Sequence, residues 1–519
     1  MSHPLALVVV LVYLVLTVVM GVVAGRRGRG DAQDYVAGER AFGPVVMYFV
    51  VGATIFSAYA LLGTPQRVVA KGSDAFYVLA YGAVGLVPLF FFGARVRRIG
   101  AREGYLTQAE LVAARYESPR MAVTMGLASV VAFIPYLVIQ LKGAGLVMAA
   151  VTGWPPLVGA AVVYAAVLIY VIAGGVRGVG WTNVVQGIAM LVVVWILGLW
   201  IPIATYGSIP AMFDRVLAER PELLTLPGPG AQTSMARYSS EILVSILGMS
   251  MWPHVFMKCF TARSARLVQQ SVVWYPTFLF FLVPLLLLGY VAALGGGPTD
   301  DSVLLWLVDR LAGHALHPLL FAFVAFAILA ASMSTGDALL HAGGSILVRD
   351  VILPIERKRW VLASIGRLRA WGALPPVSRP DVPLREDEAG QTRAIKLLVV
   401  GLLGLCLWML EGTGGTSIVD LLLLAYAVPL QFLPAVLLGL YWRRPGRAAG
   451  EWGLWAGLGT IAIVFGLQWL APELAATVNP WQLELGVLGL VANLVAMVLG
   501  SWIGARPCAR TLARFELAT

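Results

Sequence analysis

Long apolar runs alternate with short polar loops along the whole chain. At about 20 apolar residues per membrane crossing, the pattern predicts roughly thirteen spans. They fall near 5–25, 45–64, 75–93, 121–151, 155–173, 182–203, 239–260, 272–294, 317–348, 395–411, 417–441, 452–470 and 482–504. The runs at 121–151 and 317–348 exceed one bilayer and are expected to tilt or project. Two runs are poor helices. In 45–64, Gly52, Thr54, Ser57 and Gly63 interrupt the apolar sequence and Pro65 closes it. In 239–260, the sequence Ser250–Lys258 (SMWPHVFMK) places a proline in mid-span, where it removes a backbone donor. Loosened backbone in lipid survives only where protein or a water-filled cavity satisfies it. Such interruptions either build a transport site or allow close helix packing with small residues.

Composition supports a polytopic membrane protein: 59% of the 519 residues are hydrophobic and 12% charged, against about 25% charged in a soluble domain. The net charge of +10 reflects arginine-rich loops and does not indicate nucleic-acid binding. Arginines cluster at Arg26–Arg40, Arg95–Arg120, Arg263–Arg266, Arg357–Arg393, Arg443–Arg447 and Arg506–Arg514, whereas one loop of the other set holds only Arg67 and Lys71 and 471–481 holds none. The positive-inside rule puts the rich loops in the cytoplasm, with the N-terminus outside and the C-terminus inside. The segment at about 354–393 is expected to carry a surface helix near 357–371. The run Leu5–Gly25 is expected to be a retained span, not a signal peptide.

Enzymatic readings find little support. There is no GxxxxGK[ST] loop, hence no ATP motor, and no HExxH or GxSxG motif. Three scattered cysteines and five histidines show no metal-ligand spacing. Three other places could carry chemistry. Ser332, Ser334 and Thr335 put hydroxyls on about one turn, as a hard cation prefers, although such hydroxyls also bond their own i−4 carbonyl. Trp252 and His254, beside the proline, either line a cavity or pack. Lys142 lies within a span, where a lysine costs about 2.5–3.5 kcal/mol unless it snorkels outward.

Four motifs, in order, resemble the sodium:solute symporter family, which has a leucine-transporter-like core. They are Asp34-Tyr35-Val36-Ala37-Gly38, the Gly174–Gly187 run GGVRGVGWTNVVQG, Met333-Ser334-Thr335, and Phe432-Leu433-Pro434 with Trp442. The resemblance implies an all-α protein with two inverted five-helix repeats, 45–203 and 239–442. One helix with its loop (1–44) precedes them, an extracellular loop (204–238) joins them, and two helices with a short tail (443–519) follow. The two interrupted runs become the broken helices of the core. The implied sodium ligands are the carbonyls of Ala53, Phe56 and Ala331 and the hydroxyls of Ser334 and Thr335. The implied solute site lies between the broken helices, with Ser57, Tyr59, Trp252 and His254 facing Tyr136 and Gln140. No buried arginine is expected there. Two family acids are absent: Ile55 and Asn183 stand in their places, which leaves weaker sodium affinity or proton coupling open, with Asp337 as a partial substitute.

The implied activity is uptake of a small solute, most simply a monocarboxylate, through the cytoplasmic membrane with Na+ as coupling ion. An amino acid or pantothenate is the alternative solute. A transport-inactive sensor of the same fold is the alternative class, although the short tail carries no output domain.

Overall fold

The computed structural model describes residues 3–26, 31–229, 234–311, 313–356, 387–413 and 418–517. The surface helix expected near 357–371 lies outside them. Among the described residues the chain is helical, with no strand beyond one isolated bridge between Phe42 and Ala262. Ten helices are long and apolar enough to cross a membrane, and Pro44–Ile55 is a shorter apolar one. Both long runs form long helices, Pro119–Thr152 and His317–Ile346, of 34 and 30 residues. At 1.5 Å per residue they measure about 51 and 45 Å, well beyond a hydrocarbon core of about 30 Å.

The two runs at 155–173 and 182–203 lie on one helical stretch, Pro156–Tyr206, and the loop expected between them shrinks to a bend at Gly175. Gly175 takes φ 51° and ψ −149°, a conformation essentially confined to glycine. A Cβ there would also stand 2.7 Å from the Tyr35 ring and 2.9 Å from its carbonyl oxygen. The bend is sharp: a Cβ on Gly178 would come within 3.3 Å of the Tyr170 carbonyl. In a straight helix those residues would be about 12 Å apart. The two arms pack on the first helix, Pro4–Gly25, where Gln186 donates to the Tyr13 hydroxyl at 2.9 Å.

Both interrupted runs are broken. The first helix piece, Pro44–Ile55, ends where Phe56 leaves helical geometry (φ −84°, ψ 88°), and the chain turns helical again from Tyr59. The second, Met235–Met249, stops at the residues before Pro253. Trp252, forced extended by the proline ring, has ψ 122°, and its carbonyl accepts the amides of Val255 (2.9 Å) and Phe256 (2.8 Å). The breaks therefore fall at Phe56–Ser57 and Ser250–Trp252, while Gly52 and Gly63 remain in helical turns.

A two-rung backbone bridge joins the two broken helices on the arginine-rich face. The amide of Phe42 donates to the Thr261 carbonyl (3.1 Å), and the amide of Arg263 donates to the Phe42 carbonyl (3.0 Å). On the same face the tail helix Ala509–Arg514 docks: Arg514 binds Glu103 and the Tyr105 hydroxyl, and Thr511 binds Glu117. The hydrogen bonds from Thr511 and from the amide of Cys508 hold the Glu117 carboxyl below its ordinary range. Glu117 thus favours the docked tail at neutral pH, and that contribution is lost as pH falls through its depressed pKa.

Gly175→Ala should destabilise the protein by about 1–3 kcal/mol, read as a lower unfolding temperature in detergent. Gly104→Ala, at a positive-φ turn with open space around it, should cost less, because it lacks the Tyr35 collision.

Candidate functional site

The first break ends at the C-terminus of Pro44–Ile55. The last carbonyls of a helix have no intrahelical partner and carry partial negative charge. Helix His317–Ile346 supplies hydroxyls to them. Ser334 Oγ donates to the Ala53 carbonyl at 2.9 Å and to its own Ala331 carbonyl at 3.1 Å. Thr335 Oγ1 donates to the Thr54 carbonyl at 3.0 Å. Asn183 Nδ2 reaches Thr54 Oγ1 at 3.3 Å. Four of the five expected cation ligands thus gather within hydrogen-bond reach of the break: Ala53, Ala331, Ser334 and Thr335. Phe56 sits at the break itself, its ring stacked on Phe278 at 5.3 Å. A hydroxyl that donates its hydrogen still presents oxygen lone pairs, so the group is a cluster of neutral oxygens in a fully buried place.

The third hydroxyl diverges. Ser332 Oγ donates to the Gln140 carbonyl (2.7 Å), and Tyr164 donates to the Ser332 carbonyl (2.9 Å). Asp337 faces Tyr170 (2.8 Å) and Thr182 (3.5 Å), leaving its other oxygen, like Asn183 Oδ1, without a partner among the described residues.

The expected solute residues separate into two groups. Tyr136, Trp252 and His254 meet in an aromatic box, with ring centroids 4.9 Å apart for Tyr136–Trp252, 5.5 Å for Trp252–His254 and 5.9 Å for Tyr136–His254. Phe133 and Tyr426 complete it, 6.1 and 5.3 Å from Trp252. Sequence reasoning missed both. Phe133 was legible, since it stands three residues before Tyr136 and shares its helical face. Nothing local singles out Tyr426. His254 Nδ1 and Ser250 Oγ are buried without a protein partner among the described residues.

Ser57, Tyr59 and Gln140 serve the break in other ways. Gln140 Oε1 accepts the Ala58 amide at 3.0 Å, while its Nε2 donates to the Tyr136 carbonyl at 3.0 Å. Ser57 Oγ accepts the Tyr59 amide at 3.2 Å. Both side chains satisfy donors that the missing helical turn leaves open. The Tyr59 hydroxyl bonds that of Tyr77, whose ring lies 4.0 Å beneath the Arg67 guanidinium. Arg67 is buried and paired with Asp74 and Glu241. A buried arginine therefore stands at one remove from Tyr59, through Tyr77. It lies eight residues into the helical stretch that resumes at Tyr59, past the expected span 45–64, and its charge is compensated by Asp74 and Glu241.

A cavity of about 710 Å³ opens on the arginine-rich face, lined by Glu110, Arg349, Gln391 and Arg514 among others, and shares no residue with the box. Among the described residues no cluster of three or more His, Cys, Asp or Glu could hold a metal ion.

Two broken helices, hydroxyl-bearing and aromatic side chains at the breaks, and a long supporting helix define a secondary transporter of the leucine-transporter-like class. Residues 35–362 match the sodium:solute symporter family, and the chain belongs to that family. It is a solute symporter and a multi-pass membrane protein, not an enzyme. It is 26% identical to the uncharacterized symporter YhjB of Bacillus subtilis, over 95% of this chain and 96% of that one. It is 27% identical to a monocarboxylate transport permease protein of Rhizobium johnstonii, over 96% and 97%. In fold it is similar to a Na+-coupled sialic acid symporter solved substrate-bound and outward-open, with TM-score 0.76, 15% identity and coverage of 97% and 98%.

Gln140→Ala should weaken the sodium and solute dependence of uptake together, because an open Ala58 amide costs about 1–3 kcal/mol and disturbs the break. Trp252→Ala should raise the solute KM alone. Equal losses of both dependences in Trp252→Ala would make the box a packing element.

Proposed function

We propose that the protein couples inward sodium movement to uptake of a small monocarboxylate-type acid across the cytoplasmic membrane. In this reading 45–203 and 239–442 are inverted repeats that rock about the two breaks, with the arginine-rich face in the cytoplasm. One observation carries it: Ser334 and Thr335 hydroxyls sit on the Ala53 and Thr54 carbonyls at the end of a broken helix. Neutral oxygens at a helix C-terminus suit a monovalent cation that must later leave. Ala53, Phe56, Ala331, Ser334 and Thr335 are the proposed ligands. Each entering sodium supplies about 2.3 kcal/mol per 100 mV, and a tenfold gradient adds about 1.4 kcal/mol. A monocarboxylate's own negative charge cancels the potential term of one sodium, so one sodium concentrates it about tenfold from the gradient alone and a second adds several hundred-fold, without ATP.

The acid is favoured by the Rhizobium relative's name and by the box, where aromatic walls suit a short carbon chain and few polar groups remain for a carboxylate. A second reading, proton coupling, is favoured by Ile55 and Asn183 in place of the family's acids.

Ser334→Ala and Thr335→Ala should each raise the sodium concentration for half-maximal uptake about tenfold or more, at normal protein abundance. Unchanged sodium dependence in both would remove the site. Uptake of radiolabelled short-chain acids into proteoliposomes should follow an inward sodium gradient at fixed pH and persist with a protonophore. Uptake that tracks a pH gradient and ignores sodium selects the second reading.

A further inference from the structure

Two arginines flank the start of helix Ala265–Leu279. Arg263 and Arg266 are exposed, and neither has an ion pair or a side-chain hydrogen bond among the described residues. Other arginines of the same face are compensated, Arg349 by Glu110 and Arg514 by Glu103. A third cation is fixed beside the two. Arg97 donates to the carbonyls of Ala262 (2.6 Å) and Arg263 (3.3 Å) and has no carboxylate partner among the described residues. The amide of Arg263 is held on the Phe42 carbonyl at 3.0 Å. The three charges therefore stand at a set place, at the start of the first broken helix.

A groove of about 540 Å³ lies between the two helices that meet there, Pro44–Ile55 and Ala265–Leu279. Val45, Tyr48 and Phe49 line one side, and Gln270, Trp274 and Thr277 the other. Arg266, Gln270, Trp274 and Thr277 follow at steps of four, four and three residues, so they form one stripe along the helix. The stripe runs from a charge through an amide to an indole. From Arg266 to Thr277 it measures about 16 Å, which fits one leaflet of a bilayer about 40–45 Å thick with its headgroups. The groove faces out of the helix bundle, with Val45 60% and Trp274 62% exposed. At its far end the hydroxyls of Tyr48 and Thr277 satisfy each other at 2.9 Å. The Gln270 amide makes no hydrogen bond among the described residues.

We propose that this groove binds an anionic phospholipid, with its phosphate on Arg263 and Arg266 and the start of one acyl chain between Val45 and Trp274. The guanidinium fork matches phosphate oxygens, and uncompensated cations at a membrane surface attract anionic lipid. Gln270, one turn from Arg266, is placed to donate to the ester carbonyls that join phosphate to chain. Trp274 follows where an amphipathic ring prefers to sit, at the boundary of headgroups and hydrocarbon. A soluble phosphate would use the arginines and leave the apolar groove empty. A second copy of the chain, docked by a two-fold axis, would set like charges against each other. The lipid rests on Pro44–Ile55, whose far end presents the Ala53 and Thr54 carbonyls. It therefore braces the half-helix that carries those oxygens.

The test uses purified full-length protein, delipidated in mild detergent and titrated with phosphatidylglycerol or phosphatidylcholine, with bound lipid counted by native mass spectrometry. Wild type should bind the anionic lipid about tenfold more tightly than the zwitterionic one, or better. Arg263→Gln with Arg266→Gln should abolish that preference and leave phosphatidylcholine binding within about twofold. Arg263→Lys with Arg266→Lys keeps both charges and should stay within about threefold of wild type. Val45→Trp keeps the arginines but fills the groove, and should weaken phosphatidylglycerol binding about fivefold or more. The inference is overturned by an unchanged preference in the glutamine pair, or by an equal loss in the lysine pair, which would trace the effect to folding. Unchanged binding in Val45→Trp, or displacement of the lipid by millimolar inorganic phosphate, would leave an anion site without a lipid and overturn it too. A dimer in the same spectra that Val45→Trp disrupts would seat a second copy in the groove instead.

Discussion

A backbone amide or carbonyl in lipid must find its partner within the protein, and two breaks in mid-membrane expose several at once. Much of the core answers that demand. At the first break Gln140 takes the Ala58 amide and Ser57 takes that of Tyr59, while Ser334 and Thr335 approach the carbonyls of Ala53 and Thr54. At the second, the Trp252 carbonyl gathers two amides itself. Side chains that close the donors are fixed in place, whereas carbonyls, with two lone pairs each, retain capacity for a cation. Structural need and ion chemistry thus use the same atoms.

This explains why the hydroxyl-bearing helix His317–Ile346 is almost wholly buried over its second half. It touches the first break through Ser334 and Thr335, the supporting helix through Ser332, and the bent arms through Asp337 and Tyr170. Displacing this helix would change the ion oxygens, the brace at Gln140 and the bend around Gly175 together. Coupling between ion and solute needs a shared element of this kind, and the box is linked to it through the Tyr136–Gln140 turn.

Much of the fold was legible because its determinants are local. Apolar length marks a span, and a proline after Trp252 marks a break. Family motifs added the pairing of Ala53 with Ser334, which no periodicity could supply across 281 positions. What stayed hidden depends on long-range pairing. Gln140 reads as a polar group aimed at a solute, yet its partner is an amide 82 residues away. Lys142 reads as isolated, yet its Nζ lies 2.7 Å from Asp301, in a loop far along the chain. Gly175 sits in a glycine pair that predicts a loop, and only packing against Tyr35 reduces that loop to one bend.

The bridge between Phe42 and the segment Thr261–Arg263 is made from main-chain atoms alone. The two hydrogen bonds themselves ask only for an N–H at Phe42 and Arg263, while the buried side chains of Phe42, Thr261 and Ala262 answer to packing. Length is another matter. Adding or removing one residue between Ala37 and Pro44 would shift which amide and which carbonyl face the partner strand, and would rotate Pro44–Ile55 by about 100° about its axis. Spacing at this seam is thus held by the hydrogen bonds, and residue identity by packing alone. The two broken helices thereby share a common mechanical reference.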